Sequence, residues 1–339
     1  MRMTIPHSKP TLGAEEAEAA SRVIASGRLA QGAESEAFEK ECAGFVGRRY
    51  GVAVSSGTAA LHLSLKVAGI APGDLVAMPS YACAALVTAT HTAGGRAALC
   101  DCDVDFNVPP GAYPVNARAA IVAHLFGKTA PIPKASCIIE DIAQSIGGGT
   151  GRTGLTTVCS FYATKLLTTG EGGMVLTDDV GIAEALRDLR DYDNRDAYLQ
   201  RFAYKMTDVQ AAIGRVQLWR LPGFIARRRE IAGRYAHELE ELPIELPDLE
   251  NHVCFRYVIR ADRREALAEA LARDGVDTKR PVYRPAHQYF GAGDPRVRLS
   301  KSYPQADDAH ARALSLPIYP SLLDSDVDTA INSIKLHFR

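Results

Sequence analysis

The sequence has no apolar run that approaches the roughly 20 residues needed to span a bilayer. Its first residues, MRMTIPHSKPTLG, also lack the apolar region of a secretory signal. Its 39 Lys and Arg are matched by 40 Asp and Glu, so the formal net charge is -1 and no overall field attracts nucleic acid or an anionic membrane. We therefore expect a cytoplasmic protein with neither nucleic acid nor a membrane among its partners.

The spacing of cysteines and histidines predicts neither a disulfide framework nor a metal site. The seven cysteines are odd in number, have no CxxC spacing and lie partly in apolar runs such as AALCDC. The histidines, among them His62 and His91, show no ligand spacing. We expect reduced thiols and no metal site.

What the sequence does contain is the composition of a globular protein, with 47% apolar and 23% charged residues over 339 positions. Between about residues 50 and 180, short continuous apolar runs alternate with helical patterns, which predicts an α/β fold with a mostly parallel sheet covered on both faces. The segment LPIELPDLEN suggests a boundary, so we predict a large domain over 1–242 and a small α+β domain over 243–339.

Apolar spacing and stop signals also predict individual helices. We expect helices over 14–26, 34–46, 58–67, 208–219, 222–242 and 263–273, and another near the C-terminus. The helix over 222–242 contains the basic stretch Arg227–Arg229 with Arg234, and Arg220 precedes it. Because Glu230 interrupts the stretch and no aromatic residues interleave with it, a solvated or subunit-contacting face is favoured over a nucleic-acid site.

The segment SSGTAAL at 55–61 follows a predicted strand and begins a helix. The free N–H groups of a helix N-terminus suit a phosphate, Gly57 permits close approach, and Thr58 adds a hydroxyl. The alternative is that Ser56 or Thr58 only caps the helix.

Two further segments place polar side chains after apolar strands. In CIIEDIAQSIGG, Asp141 lies at the expected carboxyl end of a strand and could hold a proton on a cofactor nitrogen, or it could simply form a turn. In CSFYATKLLTTGEGG, Lys165 in a partly apolar setting would have a lowered pKa and attack a carbonyl, and Ser160 could donate to a phosphate. Alternatively, Lys165 is a solvated surface residue.

Together, a phosphate site, a carboxylate for a ring nitrogen and a Schiff-base lysine are the parts that a pyridoxal phosphate enzyme needs. The chain resembles the DegT/DnrJ/EryC1/StrS family of fold-type-I aminotransferases, which act mostly on keto-sugars. The resemblance is carried by IPHSKPTLG, SGRLAQG, SSGTAALHLSL, HLFG, EDIAQSIGG, SFYATKLLTTGEGGMVLTDD, AAIGRVQLWRL and SLPIYPSL, and so covers nearly the whole chain.

The resemblance implies a three-layer, aspartate-aminotransferase-like large domain, pyridoxal 5′-phosphate as cofactor, and a homodimer with active sites at the subunit interface. It implies that Lys165 forms the Schiff base with the cofactor and that Asp141 pairs with the pyridine nitrogen. Gln144 would contact the 3′ oxygen, and His124 would lie near the ring and substrate. Gly57, Thr58 and Ser160 would hold the phosphate.

The chain departs from the family pattern at three places. The family often has Asn-Tyr-Arg-Met before its long helix, where the Asn reaches a phosphate of the neighbouring subunit. This chain has Ala203-Tyr204-Lys205-Met206, so that amide contact is lost, and Lys205 is the candidate to replace it. Where the family stacks an aromatic side chain on the ring, this chain has Cys83, with Tyr81 two residues earlier, and both are candidates to lie near the ring or the substrate. The region between DFNVPP and HLFG is short, which suggests a trimmed substrate pocket.

By resemblance, the expected reaction moves an amino group from Glu or Gln to a keto-sugar, with a nucleotide-linked sugar favoured. An aminocyclitol or another ketone is the alternative acceptor, and a non-catalytic regulatory member of the family is the alternative from a different class. The run GTGRTG at 149–154 fits the dinucleotide motif GxGxxG, but no strand immediately precedes it and a strand follows, which argues against an oxidoreductase.

Overall fold

The computed structural model describes residues 4–193 and 195–339. Within them the helices are α1 (Ala14–Ser26), α2 (Ala33–Val46), α3 (Gly57–Val67), α4 (Ala85–Thr92), α5 (Val180–Leu189), α6 (Asp208–Leu239), α7 (Arg264–Arg273), α8 (Pro304–Arg312) and α9 (Asp324–His337). The strands are β1 (Tyr50–Val54), β2 (Leu75–Pro79), β3 (Arg96–Cys100), β4 (Ala119–Ala123), β5 (Ile138–Asp141), β6 (Thr156–Ser160), β7 (Gly173–Thr177), β8 (Tyr257–Arg260), β9 (Val297–Arg298) and β10 (Ala313–Leu316).

Eight strands form one sheet in the order β1-β7-β6-β5-β4-β2-β3-β9. Strand β7 is antiparallel to β1 and β6, and the other neighbours in the sheet are parallel. Side chains of each strand alternate between two apolar layers: Val175 of β7 packs in the layer of α3 and α4, whereas Met174 and Leu176 pack in the layer of α2 and α6. The predicted α/β fold with a mostly parallel, doubly covered sheet is confirmed.

Helix α6 differs from the prediction, because it runs without interruption through Pro222. The sequence predicted two helices separated near this residue, since proline lacks the N–H for one helical hydrogen bond and costs about 3 kcal/mol in a helix interior. Buried side chains on both sides of the proline, among them Leu218, Leu221, Phe224 and Ile225, pack against the rest of the chain and hold the helix together.

A second apolar core surrounds the two-stranded sheet of β8 and β10 and includes α7, α9 and the end of α6. Ile5 also belongs to this core and bridges to Val276, so the N-terminal segment packs on the C-terminal part of the chain. Strand β9, by contrast, pairs with β3 at the edge of the large sheet. The division into 1–242 and 243–339 stays a prediction.

The segment before β9 is fastened to the end of β2 through His287. Its Nδ1 lies 2.6 Å from Ser80 Oγ and its Nε2 lies 3.0 Å from Asp307 Oδ1. This order of side chains is that of a hydrolytic triad, but Ser80 is fully buried and cannot reach a substrate. The three side chains therefore form a structural link between the large sheet and the C-terminal part of the chain.

The arginines of the predicted basic face have partners within the chain. Arg227 and Arg234 bind Asp324 at the start of α9, Arg220 binds Glu16 of α1, and Arg228 is buried with its guanidinium on main-chain carbonyls. The expected solvated or subunit-contacting face is thus largely an internal contact that holds α6 to its neighbours. Within the described ranges, no helix combines the length and apolar character that a membrane span requires.

Candidate active site

The carboxyl end of β1 and the N-terminus of α3 form a small polar cup. Ser56 caps α3, because its side chain accepts the Ala59 N–H at 3.1 Å, which leaves the Thr58 hydroxyl free of that role. A Cβ on Gly57 would lie 2.8 Å from Ser160 Cβ, so glycine is needed where β6 approaches the helix. Gly57, Thr58 and Ser160 line one cavity of about 310 Å³ together with Asp141 and Lys165.

Asp141 ends β5 and points into this cavity from the middle of the sheet. Its Oδ1 accepts the Ala143 N–H at 2.9 Å, and the chain supplies Oδ2 with no hydrogen bond within the described residues. Burial raises the pKa of the Asp141 carboxyl, although the Ala143 N–H and the charge of Lys165 oppose that shift. A buried carboxylate with one free oxygen is suited to pair with a cationic group of a ligand.

Lys165 lies in the turn that follows β6, where its N–H donates to Tyr162 O at 2.9 Å. Its Nζ is 5.4 Å from the centroid of the Phe255 ring. Burial lowers the pKa of the Lys165 ammonium, the nearby Cys83 and Asp141 oppose this, and the charge of Arg256 adds to it. A lysine with a lowered pKa has more neutral amine near neutral pH, which is the form that attacks a carbonyl.

A second cavity of about 270 Å³ adjoins Lys165 and shares Cys83 and Tyr162 with the first. Gln144 lies in its wall and accepts the Phe126 N–H through Oε1 at 2.7 Å, which leaves its NH2 group as the part able to donate elsewhere. Cys83 is exposed on both cavities, just before α4. The structure thus brings seven predicted site residues to one place: Gly57, Thr58, Cys83, Asp141, Gln144, Ser160 and Lys165.

Three other predicted residues do not line either cavity. Tyr81 is fully buried, donates its hydroxyl to Ala309 O at 3.3 Å and stacks on Phe106. His124 is also buried: its Nδ1 accepts the Ala130 N–H, and its Nε2 lies 3.2 Å from Glu140 Oε2. Its ring thus contacts Glu140 rather than either cavity, and the expected place of His124 near the cofactor ring and substrate stays a prediction.

Lys205 is the third of these residues. Its backbone bridges to Val54 at the end of β1, but its Nζ binds Asp191 at 2.7 Å and Asp193 at 2.8 Å in the same chain. The lysine is therefore close to the cup through its main chain, while its charge is engaged by two carboxylates.

Glu140, to which sequence reasoning assigned no role, holds the neighbouring loop in place. Its carboxylate accepts the N–H groups of Gly151, Thr153 and Gly154 at 2.9, 2.6 and 2.9 Å, and the Thr153 hydroxyl at 2.8 Å. The GTGRTG run therefore binds a carboxylate of its own chain and leads into β6. Arg256, the other residue that the sequence reasoning missed, lines the second cavity and carried no motif signal.

Comparison of the chain with known proteins points to the same kind of site. The model of the DegT/DnrJ/EryC1/StrS aminotransferase family matches residues 10–335. The chain is 33% identical, over 98% of its length and 96% of the relative, to the spore coat polysaccharide biosynthesis protein SpsC of Bacillus subtilis.

Two solved structures are also similar. The aminotransferase TlmJ from Streptoalloteichus hindustanus is 31% identical with a TM-score of 0.88, and 98% of each chain is covered. DesV of S. venezuelae, solved with a ketimine intermediate, is 31% identical with a TM-score of 0.87 over 96% of this chain and 95% of that one. The chain belongs to the DegT/DnrJ/EryC1/StrS aminotransferase family and is a pyridoxal-phosphate-dependent transaminase.

Proposed function

We propose that the enzyme transfers an amino group from an amino acid, Glu or Gln, to the ketone of a sugar that is linked to a nucleotide. The observation that carries the assignment of the site is the convergence of Asp141, Lys165 and the cup of Gly57, Thr58 and Ser160 in one cavity. The sugar acceptor is supported by the relative SpsC, whose name places it in polysaccharide biosynthesis.

The residues present fit pyridoxal phosphate. The cup offers the hydroxyls of Thr58 and Ser160 and the amides of a helix N-terminus to a phosphate, and the contact between Gly57 and Ser160 leaves no room for a larger side chain. Asp141 Oδ2 is free to accept a proton held by a ring nitrogen. When bound, the cofactor supplies an electron sink for the bond that is broken at the substrate carbon.

The chain's own residues then have separate roles. Lys165 Nζ would hold the cofactor and, once released by the incoming amine, take up and return the substrate proton. Asp141 keeps the ring nitrogen protonated because it is a buried carboxylate at that position. Gln144 would donate to the 3′ oxygen of the cofactor. The Phe255 ring beside Lys165 keeps water from part of the amine and helps to lower its pKa.

The assignment is tested by the visible absorption of the protein after addition of pyridoxal phosphate, with and without borohydride. The wild type is expected to show a visible band that borohydride removes, and Lys165→Ala is expected to lack it. Lys40→Ala, on the exposed face of α2, is the matched control and should keep the band. A band that persists in Lys165→Ala would contradict the assignment.

The acceptor requires a separate experiment. Turnover with Glu or Gln is measured against a panel of nucleotide-linked 3- and 4-keto-sugars, the free sugars and an aminocyclitol ketone. We expect product only with nucleotide-linked members. Equal turnover of the cyclitol ketone would replace the sugar assignment while leaving the site assignment intact.

We also propose that two subunits complete each site. The segment 195–200 is irregular and exposes Tyr198 at 96% and Leu199 at 58%, which is costly for a monomer in water. Among the described residues, the lining of the cup's cavity contains no arginine to pair with a phosphate. Sedimentation of the purified protein is expected to give a dimer, and a fully active monomer would contradict this proposal.

A further inference from the structure

The cavity beside Lys165 has an unbalanced set of charges. Its lining contains three cationic side chains, Lys165, Arg256 and Arg284, and no Asp or Glu among the residues that the structure describes. The adjoining cup differs, because Asp141 and Glu171 lie in its lining. A cavity with cations and no carboxylate is suited to an anionic ligand.

Arg256 is the partly buried arginine of this cavity, whereas Arg284 is exposed. No carboxylate of the described residues is in salt-bridge contact with it, and its guanidinium has one hydrogen-bond partner, His7 Nε2 at 3.4 Å. Burial and the charge of Arg256 lower the pKa of His7 to about 3, so the ring is neutral at pH 7 and does not compensate the arginine. Because arginine has five N–H donors, most of them remain available.

Arg256 lines two cavities that differ in charge. Its main-chain N–H donates to Phe126 O, which fixes the residue just before β8. One of the two cavities contains Asp105, Asp248 and Glu245. The other, which Lys165 also lines, has no carboxylate among its described lining residues. Both cations lie against the same ring, with Arg256 Cζ 5.5 Å and Lys165 Nζ 5.4 Å from the Phe255 centroid.

We infer that Arg256 binds the carboxylate of the amino-acid donor and so selects an amino acid for the first half of the reaction. In any α-amino acid the carboxylate is two bonds from the reacting nitrogen, so it enters the cavity together with the amine that displaces Lys165. The phosphates of a nucleotide-linked sugar lie farther from the ketone carbon. They fit the exposed Arg284, which lies over Tyr289 in the same cavity wall.

Guanidinium and carboxylate form two parallel hydrogen bonds in a planar fork, which accounts for arginine at this position. The bond forms in a site that is partly shielded from water, where a charged hydrogen bond contributes more than at an open surface. It also neutralises the cation that lowers the pKa of Lys165. Arg256 is therefore a substrate-binding residue, and its loss is expected to affect donor affinity more than the cofactor.

The inference rests on the proposed placement of the cofactor at Lys165, and the experiment separates the two. Glutarate and glutaramate, which are glutamate and glutamine without the amino group, are titrated into the cofactor-loaded enzyme by calorimetry. Arg256→Met is expected to raise both dissociation constants about 10- to 100-fold, as for the loss of a charged hydrogen bond. Arg256→Lys is expected to lie between Arg256→Met and the wild type, and Arg284→Met is the matched control within the same cavity.

Two further ligands test whether Arg256 recognises a carboxylate specifically. The diamide glutaramide should bind wild type and Arg256→Met equally, because it has no carboxylate. Inorganic pyrophosphate should bind Arg256→Met as it binds the wild type. The visible band of the cofactor and the unfolding temperature should be retained in Arg256→Met, which shows that the Lys165 site and the fold are intact.

The inference would be overturned by unchanged glutarate binding in Arg256→Met, or by a wild type that does not bind either carboxylate in preference to glutaramide. A loss of pyrophosphate binding with retained glutarate binding would assign the arginine to a phosphate instead. Loss of the visible band from the wild type itself would count against the proposed cofactor site, independently of the carboxylate data.

Discussion

Glu140→Gln is expected to destabilise the centre of the large sheet although the side chain does not line either Lys165 cavity. The carboxylate of Glu140 is buried at the end of β5 and accepts four hydrogen bonds from Gly151, Thr153 and Gly154, with His124 Nε2 at 3.2 Å as a further partner. A glutamine keeps one oxygen and places an NH2 group where the other oxygen accepted N–H groups. The substitution therefore leaves one or two buried donors facing another donor.

The expected loss follows from the number of bonds. Each hydrogen bond to a charged group contributes about 1.5–3 kcal/mol, and a buried donor without an acceptor costs about 1–3 kcal/mol. With two such bonds lost, the free energy of unfolding should fall by about 3–5 kcal/mol, which is the range for breaking a buried charged network. Since β5 also carries Asp141, the cofactor should bind more weakly as well.

The contribution of Glu140 to the stability of the protein should depend on pH. The hydrogen bonds from the loop and from His124 overcome the effect of burial and hold the pKa of Glu140 far below its value of 4.5 in an unfolded chain. A carboxylate with a depressed pKa contributes stability that is present above about pH 4.5 and is lost as the pH falls toward the folded pKa. The difference between wild type and Glu140→Gln should therefore be largest near pH 7 and smaller near pH 3.

Chemical denaturation of the apoenzyme at both pH values measures this difference, and hydrogen exchange at Gly151, Thr153 and Gly154 locates it. Glu18→Gln, on the exposed face of α1, is the matched control and should change the stability by less than about 0.5 kcal/mol. A loss of less than 1 kcal/mol in Glu140→Gln, or a loss that grows as the pH falls, would refute the reasoning.

Three further outcomes are expected. Gly57→Ala should weaken pyridoxal phosphate binding at least about tenfold, because the new methyl would lie 2.8 Å from Ser160 Cβ, whereas Gly233→Ala, with nothing within 4 Å, should leave it unchanged; equal affinities would contradict the cup. Cys83→Phe should bind the cofactor about 2- to 10-fold more tightly if residue 83 faces the ring, since aromatic stacking contributes about 0.5–1.5 kcal/mol; fluorescence titration measures this, and weaker binding would place the ring elsewhere. Arg256→Met should move the pH profile of cofactor reconstitution upward, because the charge of Arg256 lowers the pKa of Lys165, and a shift to lower pH would exclude that coupling.

Much of the fold could be predicted because its signals are local. Strands β1 to β7 are short apolar runs that are buried on both faces, and the predicted helices over 14–26, 34–46 and 58–67 agree with α1, α2 and α3 to within one residue. The continuity of α6 could not be predicted, since proline is unfavourable locally and only the packing of α6 against distant elements offsets its cost.

Some residues of the candidate site could likewise be predicted from the sequence, and others could not. Asp141, Lys165 and Ser160 could be chosen because each comes at or just after the end of a strand, and the carboxyl ends of neighbouring strands meet at one edge. The contact of His124 with Glu140 could not be predicted, because the face of a side chain depends on strand register. In the structure Val122 pairs with Glu140, and His124, two residues after Val122, continues on that face. Arg256 gave no signal because most arginines lie on surfaces.

The two-residue strand β9 has a consequence for how such an enzyme can change its substrate. Residues 281–284 and Tyr289 form one wall of the cavity beside Lys165, and this wall is attached to the C-terminal core at Lys279 and to the large sheet through His287 and β9. The wall is therefore a span anchored at both ends and independent of the strands that carry Asp141 and Ser160. Insertions, deletions or recombination within this span can reshape the cavity beside Lys165 during evolution while the strands that carry Asp141 and Ser160 are kept.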